Sequence, residues 1–171
     1  MFTLLIGGAA SGKSALAEKL VQAQPQPRIY IATMRPGDRE CVARIQKHRQ
    51  QRAGKGFITL ECYRNLSGIS LPANSSVLLE DLGNLLVNEL YQPDGGGMEA
   101  VLSGMDTLLQ CAAHVTAVTN EVFSGGAAYG ADTLHYLREL ARINRRLARQ
   151  ADVVAELVCG LPNVLKGAPL W

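Results

Sequence analysis

The stretch GGAASGKS at residues 7–14, set directly behind the apolar run FTLLI, limits what this chain can fold into more than any other feature. Five apolar or β-favouring residues read as a buried strand, and the following ALAEKLVQA repeats Leu16, Ala17, Leu20 and Val21 at helical spacing. The glycine-rich segment therefore joins strand to helix. Gly7, then Gly8, Ala9, Ala10 and Ser11, then Gly12, Lys13 and Ser14 fit the phosphate-binding pattern G-x-x-x-x-G-K-[ST]. Glycine permits the turn and a close backbone approach. Successive N–H groups and the positive end of the helix then face one point, which favours a phosphate chain. Lys13 can reach the β and γ phosphates, and the Ser14 hydroxyl can ligate Mg²⁺. A plain glycine turn with an exposed lysine is the alternative, and the strand before and helix after weigh against it.

With 171 residues the chain suits one domain over 1–171, large enough to bury a substantial core. A composition 47% apolar and 19% charged is that of an ordinary globular protein, with no stretch approaching the ~20 apolar residues of a membrane span. Met1 runs straight into the first strand with no basic region before it, so a cytoplasmic location is expected. Cys41, Cys62, Cys111 and Cys159 are scattered with no C-x-x-C pair, which suggests neither a zinc site nor a disulfide framework. Between Arg64 and Arg138 there is no Lys or Arg, leaving Glu80, Asp81, Glu89, Asp94, Glu99 and Asp106 in an acidic middle. The basic residues gather near the first strand-helix units and in a late helix, a distribution that suits a focused anionic ligand better than a broad nucleic-acid surface.

The remaining pattern predicts alternating strands and helices. RIYIAT (28–33) reads as a second strand, Asp38 can cap a helix running to about Arg52, and FITLE (57–61) is a short third strand. SSVLLED (75–81) is a buried strand ending in acids, followed by the helical spacing of Leu82, Leu85, Leu86 and Leu90. A further helix is expected over 98–112, a strand over 114–121, a loop over 124–130, a long helix capped by Asp132 to about Gln150, and a last strand over 152–158. CGLPNVLKG reads as an irregular tail. Such alternation implies an α/β fold of the P-loop NTPase type, a mainly parallel sheet with helices on both faces.

Ligands of such sheets gather beyond the carboxyl ends of the strands, which selects the loop at 7–14, Ala32 to Met34, Glu61, Glu80 with Asp81, and Thr119 to Glu121. An acid closing an apolar strand is what a P-loop enzyme uses to hold hydrated Mg²⁺ or orient an attacking hydroxyl. Glu80 suits that chemistry and Asp81 suits the cap of the next helix. In RECVARIQKHRQQR (39–52), Arg44, His48 and Arg52 share one helix face, with Val42 and Ile45 expected on the buried side. Neighbouring cations lower an imidazole pKa and leave its lone pair free to attack phosphorus, while the guanidiniums steady the anionic oxygens. The same run also reads as a solvated basic helix face, and the spacing alone leaves both readings open.

Assembled, these segments resemble the bifunctional adenosylcobinamide kinase / adenosylcobinamide-phosphate guanylyltransferase family of cobalamin biosynthesis. GGAASGKS matches its opening loop, YIAT (30–33) its second strand, and ARIQKHR (43–49) its A-R-I-x-x-H-[KR] helix. EC-Y-R-x-L (61–66), LLE (78–80), VTNEV (118–122) and INRRLA (143–148) follow in order along nearly the whole chain. The resemblance implies two reactions: a nucleoside triphosphate, ATP or GTP, phosphorylates adenosylcobinamide, and GTP then passes GMP through His48 to adenosylcobinamide phosphate, giving adenosylcobinamide-GDP. It further implies that Gly7 to Ser14, Ala32, Thr33, Met34, Arg49, Gln50, Gln51, Arg52, Glu61 and Glu80 contact the guanine nucleotide. Lys13 and Glu80 would join His48 in catalysis, and Ser14 and Glu80 would hold Mg²⁺. A carboxylate such as Glu61 can accept two parallel hydrogen bonds from the guanine edge. Family members form trimers, so a homo-oligomer is expected.

Two segments depart from the family pattern. After VTNEV the usual G-x-G-I-V-P is replaced by FSGGAAYGADTLHYL, and Lys47 stands where a second histidine is often found. Rival readings are a P-loop kinase for another small hydroxyl substrate and a nucleotide-binding regulatory protein without transfer activity. A nucleic-acid module is disfavoured, because Arg138, Arg142, Arg145 and Arg149 lie along one helix face with no aromatic stacking platform.

Overall fold

A computed structural model describes residues 1–37, 39–125 and 128–170, with the side chains of Glu40, Arg44, Lys47, His48 and Gln51 outside the described set. Seven strands form one sheet: β1 (Phe2–Gly7), β2 (Arg28–Ala32), β3 (Phe57–Glu61), β4 (Ser76–Glu80), β5 (His114–Asn120), β6 (Val153–Val158) and β7 (Leu161–Lys166). Their order is β3-β2-β4-β5-β1-β6-β7, parallel throughout except for the antiparallel β6–β7 pair. The helices are α1 (Lys13–Gln22), α2 (Arg39–Arg52), α3 (Leu82–Tyr91), α4 (Gly97–Cys111) and α5 (Ala131–Gln150), with one 3-10 turn at Leu66–Gly68. No described helix is long and apolar enough to cross a membrane.

Side-chain alternation along the central strands builds a core on each face. Leu4, Ile29, Ile31, Val77 and Leu79 point into one cluster with Leu82, Leu85 and Leu86 of α3, Met105 and Leu108 of α4, and Leu140 and Ile143 of α5. Leu5, Tyr30, Leu78 and Val118 point the other way, against Leu16, Ala17 and Val21 of α1. Residues one apart in a strand serve opposite faces, so near-continuous apolar runs are what a sheet covered on both sides requires.

α2 is held differently. Among its described residues only Arg52 is buried, whereas Val42, expected on the buried side, is 39% exposed and Ile45 is half-buried. The Arg52 guanidinium lies 3.4 Å from the centroid of the Tyr30 ring. A cation–π contact stabilises by about 0.5–2 kcal/mol, against about 1.5–3 for each buried leucine. Its expected cap, Asp38, lies outside the described residues.

Two other expectations are corrected. The tail CGLPNVLKG is not irregular: Val158 pairs with Leu161 across a two-residue turn in which Cys159 and Gly160 both have positive φ, 52° and 80°. A turn with two positive φ values suits the twist of a hairpin, but its usual sequence mark is Asn-Gly or Asp-Gly. Pro162 further disguised a strand, since proline is tolerated only on an edge such as β7. Nor does Asp132 cap α5; Gly130 holds that position, and Asp132 sits in the first turn, where its charge meets the helix dipole.

Gly104 shows how tightly α4 packs. A Cβ there would stand 2.6 Å from Leu66 Cβ, and Leu66 is fully buried. Glycine to alanine inside an exposed helix usually gains up to about 1 kcal/mol. Here overpacking reverses the sign, and Gly104→Ala is expected to lose roughly 1–3 kcal/mol, seen as a lower urea midpoint with an unchanged slope. An unchanged or raised midpoint would contradict this packing.

Candidate functional site

The loop between β1 and α1 is shaped by what touches it. Ala10 and Gly12 take positive φ values of 56° and 94°, and Gly12 is the residue before the first turn of α1. A Cβ on Gly7 would lie 2.7 Å from Ser11 Oγ and 2.8 Å from the Leu157 carbonyl oxygen. One on Gly12 would come 3.2 Å from Gly160 Cα, and the Gly160 N–H donates to the Ser11 carbonyl at 3.0 Å. The loop therefore leans on the β6–β7 turn, at a separation only glycines allow. The buried Lys13 ammonium donates to the Gly8 carbonyl at 2.7 Å. Burial pulls its pKa below the usual lysine range, against the opposing attraction of Asp81 and Glu80.

Beyond the strand ends lies a cleft of about 530 Å³. Ala9, Ala10, Lys13, Ser14, Ala32, Met34, Arg49, Arg52, Glu61 and Glu80, all selected from the sequence, line it together. Gly7, Gly8, Ser11 and Gly12 shape the loop backbone without lining the cleft, and Thr33 is fully buried behind it. Gln50 is exposed and away from the cleft, while the side chains of His48 and Gln51 lie outside the described residues. Tyr30, Ile45, Thr59, Tyr63, Asn84, Val118 and Asn120 also line the cleft. Of these, Asn120 falls in the strand-end segment singled out above. Tyr30 could have been found from strand alternation, which turns it toward the α1 face between Ile29 and Ile31.

The two adjacent carboxylates have separate partners. Glu80 accepts a hydrogen bond from the Ser14 hydroxyl on one oxygen and from Tyr30 Oη at 3.1 Å on the other. Burial and then the Glu80 charge push the Tyr30 phenol upward. Asp81 caps α3, its Oδ1 accepting from the Asn84 backbone at 2.7 Å and its Oδ2 from Asn84 Nδ2 at 2.9 Å. Burial raises the Asp81 pKa, partly offset by those bonds. Thr33 Oγ1 locks this corner by donating to the Asp81 carbonyl at 2.8 Å and accepting from its N–H at 2.7 Å. Asn88 Nδ2 completes the support with bonds to the carbonyls of Thr33 at 2.9 Å and Tyr63 at 3.0 Å.

On the α2 side, Glu61 is paired with Arg49 and accepts from Tyr63 Oη at 2.6 Å. The tyrosine bond first, and then Arg49, hold its carboxyl below the usual range despite some desolvation. Arg52 is the anomaly. It is 6% exposed, and its Nε and Nη1 have no hydrogen-bond partner. A buried charged donor left unpaired costs about 1–3 kcal/mol or more. Arg52 thus lines the cleft as a buried cation with donor capacity unmet.

Comparison with known proteins follows the same outline. Residues 3–165 match the family described as cobinamide kinase / cobinamide phosphate guanyltransferase, CobU. The chain belongs to this family. Among its relatives is the bifunctional adenosylcobalamin biosynthesis protein CobU of Salmonella typhimurium, 35% identical over 97% of this chain and 100% of that one. The Escherichia coli protein of the same name is 33% identical with the same coverage. The bifunctional adenosylcobalamin biosynthesis protein CobP of Pseudomonas aeruginosa is 33% identical over 99% of this chain and 100% of its own. Family membership and the P-loop architecture together make this a nucleotide-using chain, and the family's two activities are a kinase and a guanylyltransferase.

If Arg52 awaits a phosphate, removing its charge should leave the empty protein no weaker. Arg52→Met is expected to melt at the same temperature or higher without nucleotide, while GTP affinity falls roughly tenfold, the scale of one charged hydrogen bond. Thermal melts across a GTP titration measure both. An undiminished GTP-induced rise in Tm would contradict the assignment.

Proposed function

We propose that this chain phosphorylates the aminopropanol hydroxyl of adenosylcobinamide and then, through guanylylated His48, transfers GMP from GTP to the resulting phosphate to give adenosylcobinamide-GDP. The observation that carries this reading is the pair of buried cationic side chains, Lys13 and Arg52, that line one cleft together with residues of the loop between strand and helix. A triphosphate chain satisfies both, because the loop amides and α1 N-terminus favour one phosphate while a planar guanidinium forks onto another. On binding, Lys13 would exchange the Gly8 carbonyl for phosphate oxygens.

The Ser14 hydroxyl and the Glu80 carboxylate, already in contact, are the oxygen donors that magnesium takes, so these residues fit that ion. When bound there, Mg²⁺ would supply charge neutralisation of the β and γ phosphates. Tyr30 Oη, donating to the second oxygen of Glu80, fixes the carboxylate's orientation. Glu61 faces the cleft from the neighbouring strand and would read the guanine edge by exchanging one of its present partners, Arg49 or Tyr63.

For the second reaction, His48 is three residues after Ile45 and four before Arg52 in α2, and the side chains of both line the cleft. Its imidazole nitrogen would bond the α phosphorus of GTP as the bond to pyrophosphate breaks. An oxygen of adenosylcobinamide phosphate then takes the phosphorus, breaking the P–N bond and returning the imidazole. Two displacements replace one difficult transfer. The chain would act in the cytoplasm as a homo-oligomer, for which the trimer of the family is the working expectation.

GTP labelled at the α phosphate should leave covalent label on the protein, acid-labile and alkali-stable as a phosphoramidate is, and His48→Ala should abolish it. Transfer of γ label to cobinamide should survive that substitution. Label retained by His48→Ala would defeat the nucleophile assignment. Failure of γ label to reach cobinamide would leave a guanylylating protein without the kinase step.

A further inference from the structure

The nucleotide reading uses the loop, the end of β4 and α2, and gives no role to Asp81, Asn84 and Asn120, which line the same cleft. Asp81 and Asn84 come from the start of α3 and Asn120 from the end of β5, and next to them stands Tyr136 of the second turn of α5. Three of these side chains converge on one glycine. A Cβ on Gly83 would stand 2.8 Å from Tyr136 Oη, 2.9 Å from Asn120 Nδ2 and 3.2 Å from Asp81 Oδ1. Asp81 Oδ1 is held by Asn84, but among the described residues neither the Asn120 amide nor the Tyr136 hydroxyl has a hydrogen-bond partner. Two donors without a partner among the described residues and a carboxylate held by Asn84 thus meet beside the cleft.

Their chemistry selects the occupant. A carboxylate beside an amide and a phenol repels phosphate, so this cluster does not duplicate the anion-binding role of Lys13 and Arg52. A neutral alcohol suits it, because a hydroxyl accepts from the amide or phenol while donating to the carboxylate. The cluster also stands close to the phosphate loop: Asp81 is near enough to the Lys13 ammonium to attract it, and Asn120 lines the same cleft as Lys13 and Ser14. The chain joining β5 to α5 leaves Val122, Phe123 and Tyr129 exposed, and Leu134 in the first turn of α5 is exposed too. Val122 and Phe123 follow Asn120 by two and three residues and Leu134 precedes Tyr136 by two, and exposed apolar residues so close in the chain suit an alcohol carried on a large body rather than a small polyol.

We propose that Asn120, Tyr136 and Asp81, brought together over Gly83, are the subsite that holds the acceptor alcohol for phosphoryl transfer. This rests on the kinase half of the function proposed above. In that step the alcohol oxygen bonds the γ phosphorus, the bond from phosphorus to the β–γ bridging oxygen breaks, and nucleoside diphosphate and a proton are released. The three side chains fix the oxygen in line for that displacement, and positioning of this kind is a large part of phosphoryl-transfer catalysis. Gly83 is required because any side chain would push Tyr136 and Asn120 apart.

The test measures initial rates of γ-label transfer to cobinamide in the full chain with Gly83→Ala, Tyr136→Phe and Asn120→Ala, varying acceptor and nucleotide separately. Gly83 does not occupy the left-handed region and lies in the first turn of α3, so alanine there suits the helix and the variant should fold. Each substitution is expected to raise the acceptor KM roughly fivefold to tenfold, the scale of one lost hydrogen bond, without a matching rise in the nucleotide KM. Acceptor KM values equal to wild type in all three, or a parallel rise for nucleotide, would overturn the subsite alone. A wild-type chain that moves no label to cobinamide would overturn the functional reading and the subsite with it.

Discussion

The contact on which the site depends is the support that the turn after β6 gives to the loop after β1. Gly7 passes within a methyl's width of the Leu157 carbonyl, Gly12 rests against Gly160, and the Ser11 carbonyl is tied to the Gly160 N–H. Because β1 lies between β5 and β6 in parallel register, the loop and the end of β5 emerge on the same edge as the acids closing β4. The glycines therefore do two jobs. They supply the left-handed backbone of the turn, and they let a second piece of chain approach closely enough to fix it.

Opposite charges lie side by side in the cleft built on this scaffold. Lys13 and Arg52 are buried cations, one held by a loop carbonyl and the other stacked on an aromatic ring, with two guanidinium nitrogens unsatisfied. Beside them, Glu80 is occupied by Ser14 and Tyr30, and Asp81 by its own helix. Adjacent carboxylates would repel if both served one point. Separate partners send them to different tasks, one toward the loop and one toward the start of α3. Thr33 and Asn88, buried and fully engaged, hold the backbone that makes the separation possible.

α2 carries most of the difference between what the chain spells and what it builds. Helical spacing groups Arg44, His48 and Arg52 on one face but leaves open whether that face is solvated; the structure decides it for Arg52. It is buried because Tyr30 turns its ring toward that side of the sheet and offers a π surface, and because Val42 is left exposed. Periodicity within one helix contains no information about which neighbouring strand supplies a flat aromatic partner. The same limit hid Asn120 and Tyr136 as a pair: they belong to separate elements and meet only through the absence of a side chain at Gly83.

The hairpin of β6 and β7 is the complementary case, in which the local signal itself was weak. Cys159-Gly160 fills a turn that ordinarily announces itself with asparagine or aspartate, and Pro162 reads as a breaker until the strand is known to lie at an edge. By contrast, the strand-loop-helix opening, the parallel α/β order, the acid at the end of β4 and the capping role of Asp81 were all legible from residues 1–171 alone. Those features are local: each is specified by the spacing of a few neighbours and by the conformations glycine and short acids allow. Only tertiary structure decided that Arg52 is an unsatisfied buried cation, that Glu80 and Asp81 face different partners, and that Asn120, Tyr136 and Asp81 meet at Gly83. These are meetings between distant segments, set by sheet order and by the thickness of side chains between them, which no stretch of sequence states by itself.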